Sequence, residues 1–464
     1  MACNFEEGQG NEGDGLPKDT VHEGLISALV SDLGVDSFIE VILLSTWDNV
    51  VGPKLCHVWY SDQERCKIGE KCILHVASLT GRDLFHDGSE GEGIVSYKLL
   101  LLPQHDVVVN CYKFYGCLKD GRTTLYAFSI LMPTRYLNDY MPLYQICETR
   151  IVEFTAKFRL FQFKNYQTAI EKIFNDLKAF LIHITAIVRG KLSGTLEIAD
   201  TWLFSIFKNT TKEEIALLEK AITSHLQTCR CSIVIGSDMK QINKMVRTLA
   251  MFNSEKELQS SRINLEDDER INQSYLPDLY LQGLLMELES LPISDIVRSH
   301  RPTTIISLHN WEVYRTALPD QHASILQEIL KIDLATLWIN NNKVTVSLSP
   351  QMLTLVEEGA LLIEEFLEEM KELPCITQIR AEYIEHFKQK VDTKTYALIE
   401  FIESERKQNN ALSIDDIKTY LSIRNDNDLI VILATSEYYK PGLCSWLIGQ
   451  PSLTGYLPSG GGNL

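Results

Sequence analysis

The stretch AITSHLQTCRCSIVIGSDMKQINKMVRTLAMF, Ala221 to Phe252, changes its period twice. Upstream of it, Thr211 stands three residues before Glu214, the spacing of a capping box at a helix start. Ile215, Leu218, Ile222 and Leu226 then recur at helical intervals, so the helix runs into the quoted stretch with one apolar stripe. CSIVIG, Cys231 to Gly236, is a short aliphatic run of the kind a sheet buries on both faces. Asp238 follows as an N-cap, and Ile242, Met245, Val246 and Leu249 form the stripe of a second helix. Helix, buried strand, helix is the kernel of an α/β domain.

Working outward toward the N-terminus, residues 1–36 read as a solvated acidic tail. FIEVILLSTW (38–47) predicts a buried strand, with Asp48-Asn49 and Gly52-Pro53 turning the chain into a second strand, LCHVWY (55–60). Residues 70–85 predict a helix, and strands are predicted at 94–102, 106–114 and 123–132. From Tyr136 to about Arg189 the apolar spacing becomes helical, with Tyr140, Leu143, Ile151, Phe154 and Phe158 followed by Ile170, Phe174, Leu177 and Leu181. A Gly/Ser break at 190–194 predicts a domain boundary.

Toward the C-terminus, residues 253–274 read as a charged linker, followed by strands at 302–309 and 343–348 around a helix at 318–331. The last third predicts helices: LLIEEFLEEM (361–370) with its acids outward, the run through Tyr383, Phe387 and Tyr396, and a helix capped by Ser413 with Asp416. The expected fold class is α/β (α+β). Its expected segments are 1–36 as tail, 37–195, 196–350, 351–455, and a flexible end at 456–464.

The bulk properties exclude several classes. A chain of 464 residues, 45% hydrophobic and 23% charged, is an ordinary folded protein with room for more than one core. A formal net charge of −18 opposes binding to nucleic acid or broadly to anionic lipid. Eleven cysteines include no Cys-x-x-Cys pair. Cys229 and Cys231 lie one residue apart with no second pair, so free thiols in a reducing compartment are expected rather than zinc. The acidic N-terminus lacks the basic and apolar blocks of a secretory signal, and no apolar run reaches membrane-spanning length. A cytoplasmic protein is expected.

No reacting constellation emerges. The phosphate-binding Gly-x-x-x-x-Gly-Lys motif, a Gly-x-Ser-x-Gly elbow and His-Glu-x-x-His are all missing. His225 reads as a packing or capping histidine, and Asp238 sits where a phosphate at that helix start would be repelled. An arginine presented to a transferring phosphoryl group is the remaining possibility. Arg122, in the Lys-Asp-Gly-Arg turn, and Arg135, in Met-Pro-Thr-Arg, are the best placed for it. No cofactor and no metal are expected.

Several motifs resemble the chromosome-nine open-reading-frame-seventy-two family. Ala221–Phe252 is similar nearly throughout, including His225, Cys229, Cys231, Gly236 and Arg247. Trp47, Asp48, Gly52, Pro53, His57 and Trp59 resemble the family's first-turn signature. Leu125–Pro133, Gln282–Leu285, Pro302–Thr304 and the terminal Pro441-Gly442 fall in the same order. The resemblance implies a DENN-type module: an N-terminal longin domain, a central α/β DENN core and a helical downstream region. It implies a regulator of Rab- or Arf-type GTPases in membrane traffic, autophagy and endosome–lysosome homeostasis, with recruitment to endosomes and lysosomes through partners. Those partners would be a second DENN protein of the Smith–Magenis-region type and a WD-repeat protein. Nucleotide exchange, support of a partner's GTPase activation, and a non-catalytic scaffold that holds the partner are the three modes it leaves open.

Overall fold

The computed structural model describes residues 28–48, 52–84, 95–117, 123–189, 196–207, 210–265, 275–339, 353–408 and 412–443. The chain divides into two compact units, Met1–Tyr140 with Arg150–Thr185, and Met141–Thr149 with Ala186–Leu464.

The first unit is built on a six-stranded sheet. Its strands are β1 (Leu29–Asp32), β2 (Val41–Asp48), β3 (Gly52–Tyr60), β4 (Ser96–Leu102), β5 (Val107–Cys117) and β6 (Thr123–Pro133), in the order β1-β3-β2-β6-β5-β4. All neighbours are antiparallel except β1, which runs parallel to β3. The aliphatic runs of β2 and β5 are covered on both faces, which is why they do not alternate with polar residues. On one face Val41, Leu43, Val58 and Val109 pack with Ile73 and Val76 of helix α1 (Glu70–Leu84). On the other, Phe158 of α2 (Tyr144–Lys164) meets Phe114, Tyr126 and Phe128 edge-on, with centroids 5.7, 5.4 and 6.0 Å away. Helix α3 (Tyr166–Arg189) pairs with α2 through Lys157–Asp176 at 2.8 Å and Phe154–Phe180.

Two expectations change here. Residues 29–32, assigned to the acidic tail, form β1, and Leu33 and Val35 behind it are buried. The strand expected from Phe38 starts at Val41, and Glu40 just before it uses its carboxylate to accept the Lys67 and Ile68 amides at 2.8 and 3.2 Å.

The second unit contains a five-stranded sheet of β7 (Ser232–Gly236), β8 (Leu281–Leu285), β9 (Thr304–Ser307), β10 (Glu312–Arg315) and β11 (Thr354–Leu355), ordered β11-β10-β9-β7-β8. Strand β7 is parallel to both β8 and β9, and the remaining pairs are antiparallel. Helices α4 (Lys212–Gln227) and α5 (Met239–Ala250) flank β7 in sequence. Both start as the sequence predicts. Thr211 and Glu214 form a capping box, and Asp238 accepts the Lys240 amide at 2.9 Å.

Helices α6 (Pro319–Ile339), α7 (Leu361–Glu372), α8 (Thr377–Gln408), α9 (Ile414–Leu421) and α10 (Asp426–Tyr439) complete the unit. Ile363, Phe366 and Leu367 of α7 and Ile384, Phe387 and Leu398 of α8 join α4 and α5 in one core. The acids Glu364, Glu365, Glu368 and Glu369 face outward as their spacing requires.

The charged linker expected at 253–274 begins as packed structure. A second capping box, Ser254 with Glu257, starts the short helix Glu255–Leu258, and Ser260, Ser261 and Arg262 are buried before the charged run is reached. Residues 266–274 lie outside the described residues, as do the strand expected at 343–348 and the end at 456–464. The strand expected at 302–309 is confined to Thr304–Ser307, and the hairpin partner β10 is an addition to the reading. Among the described residues no helix is long and apolar enough to cross a membrane.

Candidate functional site

Three family-signature residues of the second unit, His225, Cys229 and Cys231, meet at the turn between α4 and β7. Only four residues, Thr228 to Cys231, separate the helix from the strand, so the chain must reverse within its own width. It does so with two consecutive left-handed residues, Cys229 at φ 52° and Arg230 at φ 63°. Neither is glycine, so the surroundings must hold them there.

The holding contacts are numerous. Thr228 Oγ1 lies 3.0 Å from both the Ser224 and Cys231 carbonyl oxygens and 2.8 Å from Thr304 Oγ1. Ser224 Oγ lies 2.7 Å from the same Thr304 hydroxyl. Arg230 reaches Glu257 at 3.6 Å and Asp392 at 4.0 Å, with its guanidinium 5.4 Å from the Tyr438 ring. Cys229 Sγ approaches the Ala434 carbonyl at 3.7 Å, and Gln227 donates to the Asn427 carbonyl at 3.2 Å. The turn is thereby fastened to α10, about two hundred residues further along.

His225 is fully buried at the centre. Asn253 Nδ2 donates to the Arg230 carbonyl, so Asn253 Oδ1 faces His225 Nε2 at 3.1 Å and accepts its proton. Nδ1 then accepts from the Ser232 hydroxyl at 2.8 Å. Burial, reinforced by the Arg230 cation, lowers the imidazole to about 3. It is a neutral strut with both nitrogens occupied, unable to exchange protons near neutrality. The two thiols are equally passive. Burial pushes Cys229 up to about 12 and Cys231 up to about 11. Cys231 Sγ donates to the Leu279 carbonyl at 3.2 Å. As protonated thiols they are neither nucleophiles nor metal ligands. No group of three His, Cys, Asp or Glu side chains among the described residues could hold a metal.

This arrangement makes stability depend on pH. The unfolded imidazole takes up a proton near its ordinary 6.5, whereas the folded one resists until about 3. The unfolded state therefore binds more protons across that interval, and stability is complete above it and falls as pH drops through it. Urea midpoints measured between pH 7 and pH 4 should fall. In His225→Gln the fall should be shallower, and an unchanged slope would remove His225 as its source.

The other signature residues are also architectural. Gly236 closes β7, where an added Cβ would lie 3.3 Å from Leu308 Cβ. Arg247 ties its helix to Asp200 at 2.9 Å and to Asn264 at 2.8 Å. Trp47 and Asp48 pair with Pro53 and Gly52 at the β2–β3 turn, where Gly52 has φ 89°. Trp59 is buried with its ring 4.2 Å from His57. Pro441 and Gly442 follow α10, and Gly442, at φ 89°, donates its amide to Glu437. Of the two arginines weighed for phosphoryl chemistry, Arg122 lies outside the described residues. Arg135 is exposed, with its guanidinium 4.8 Å from the Tyr136 ring.

One prominent side chain escaped the sequence reading. Arg380 of α8 is completely buried, and no carboxylate among the described residues pairs with it. Its guanidinium instead donates to five carbonyl oxygens, those of Leu203, Phe204, Ile206, Leu373 and Pro374, at 2.7 to 3.3 Å. No sequence signal marks it, because its acceptors are all backbone.

The second unit is therefore an α/β assembly whose signature residues hold a strained turn and carry no reacting group. A family model described as the C9orf72-like protein family matches residues 75–322. The human protein named "Guanine nucleotide exchange factor C9orf72" is 26% identical over 444 residues, covering 88% of this chain and 91% of that protein. The rat and mouse proteins named as its homologues are each 27% identical over 446 residues, with the same coverage. The chain belongs to the C9orf72-like protein family.

Proposed function

We propose that this chain is a DENN-type regulator of Rab- or Arf-family small GTPases, acting by guanine nucleotide exchange or by supporting GTPase activation by a partner subunit. The observation that carries the reading is collinear similarity across 88% of the chain to proteins named as guanine nucleotide exchange factors. An exchange factor needs no reacting group of its own. It works by binding the nucleotide-free GTPase more tightly than the nucleotide-bound one. A chain whose signature histidine and thiols are locked in a structural turn suits that mode.

In this reading residues 37–195 are a longin domain, 196–350 the central DENN domain and 351–455 its helical downstream region. The chain works in a heteromeric complex with a second DENN protein of the Smith–Magenis-region type and a WD-repeat protein. The complex acts in membrane traffic, autophagy and endosome–lysosome homeostasis, and its partners bring this cytoplasmic chain to those membranes.

Release of a fluorescent GDP analogue from a panel of Rab and Arf GTPases is the direct test. Acceleration that rises with the concentration of the full chain is expected for at least one GTPase. Phosphate release stimulated only when the partner DENN subunit is added would select the activation mode. If neither readout changes when the chain is added to the complex or left out of it, the chain is a scaffold and the regulatory reading fails.

A further inference from the structure

A cleft of about 280 Å³ opens in the second unit between α7, α8 and the connection from α9 to α10. Its charged lining is Glu365, Lys390, Lys394, Arg424 and Asp428, and Ile423 contributes an apolar wall. Three cations around one cleft run against the excess of 62 acidic over 44 basic side chains in the whole sequence.

The charges are not equally committed. Asp428 accepts the Leu362 amide at 2.9 Å, capping the start of α7. Burial raises its carboxyl, and the Leu362 amide opposes that rise. Lys394 donates to the Leu421 carbonyl at 2.6 Å, closing the end of α9. Lys390 stands 4.0 Å from Glu365, at the limit of an ion pair, with both side chains about half exposed. Arg424 is exposed and has no partner among the described residues. Its loop is fixed all the same. Ser422 before it takes the left-handed φ of 51°, its amide bonding back to Thr419, and Asn425 after it caps α10. Of the loosely held groups, Arg424 and Lys390 outnumber Glu365, so the uncommitted charge of the cleft is net cationic.

We propose that this cleft binds a phosphate monoester carried on a small apolar body. A monoester brings close to two negative charges and three acceptor oxygens. That is enough to engage Arg424 in a two-point contact and Lys390 at the same time, displacing Glu365. A lone carboxylate has only two oxygens and one charge to divide between cations on separate elements. The cleft volume exceeds that of a phosphate group, and Ile423 offers the remainder an apolar contact.

Phenyl phosphate is a suitable probe for calorimetric titration into the full chain, with inorganic phosphate, benzoate and phenol alongside. Phenyl phosphate should bind, weaken as salt is raised, and outcompete benzoate. Inorganic phosphate should bind more weakly because it lacks the apolar part, and phenol should not bind. Lys390→Gln should weaken phenyl phosphate by about tenfold, the value of one charge-assisted hydrogen bond, and Arg424→Gln by at least as much because its contact is two-pointed. Both side chains are exposed, so the variants should keep the parent's melting temperature. Three results overturn the proposal: no binding at millimolar phenyl phosphate, parent-like affinity in both variants, or benzoate binding as tightly as the monoester.

Discussion

Replacing Arg380 with alanine is expected to cost the second unit about 3–5 kcal/mol of stability, a large share of a typical domain's margin of about 5–15 kcal/mol. An arginine has five N–H donors, and here all five are spent on five carbonyl oxygens. Those carbonyls come from two short connecting segments, the single 3-10 turn Leu203–Ser205 with Ile206 after it and the joint between α7 and α8 at Leu373–Pro374. Removing the side chain strands several buried acceptors at once, each costing about 1–3 kcal/mol unless water replaces the donor. Lysine should recover only part of the loss, since its three donors lack the planar fork. Urea unfolding followed by circular dichroism measures the effect. A loss below about 1 kcal/mol in Arg380→Ala would show that water takes over the role.

The second large effect is expected at Gly283. A Cβ there would lie 2.5 Å from Ile242 Cγ2, 3.4 Å from Leu265 Cγ and 3.5 Å from Val246 Cγ2. Strand β8 lies that close to α5 only because position 283 has no side chain. Gly283→Ala should cost about 1–3 kcal/mol through overpacking, and Gly283→Val more. The cause can be isolated. Ile242→Ala removes the clashing methyl, so the Gly283→Ala change should cost less in that background than alone, with a coupling of about 1 kcal/mol or more. Strictly additive losses would place the clash elsewhere.

These two positions mark the limits of what the sequence discloses. Capping was legible because its signal is local: Thr211 with Glu214, Asp238, and Ser413 with Asp416 all cap helices as their spacing requires. The Ser254-to-Glu257 box obeys the same rule and was overlooked because charged residues surround it. Strand β1 was hidden for another reason. Its four residues, Leu-Val-Ser-Asp, are outwardly ordinary and become a strand only by pairing with β3, 28 positions away at Leu29–His57. β10 likewise owes its existence to β9 and to Trp311, whose φ of 57° turns the chain between them. At the candidate site, the helix–strand–helix pattern could be read directly. The distant partners of Arg230 and Gln227, Asp392 in α8 and Asn427 in α10, could not.

That last separation bears on how the protein is made. The turn at Cys229–Arg230 emerges from the ribosome well before Asn427 and Ala434, the residues that fasten it. At elongation rates of about 5–20 residues per second, the interval is on the order of 10–40 s. For that time β7 and then the later strands of its sheet emerge while α10, which fastens the turn, is still missing. The newborn segment must wait with apolar surface open, and a chain whose synthesis stops before α10 has no means of covering it. A frameshift or stop late in the message should therefore yield a product held by chaperones or degraded, rather than a shortened but folded protein.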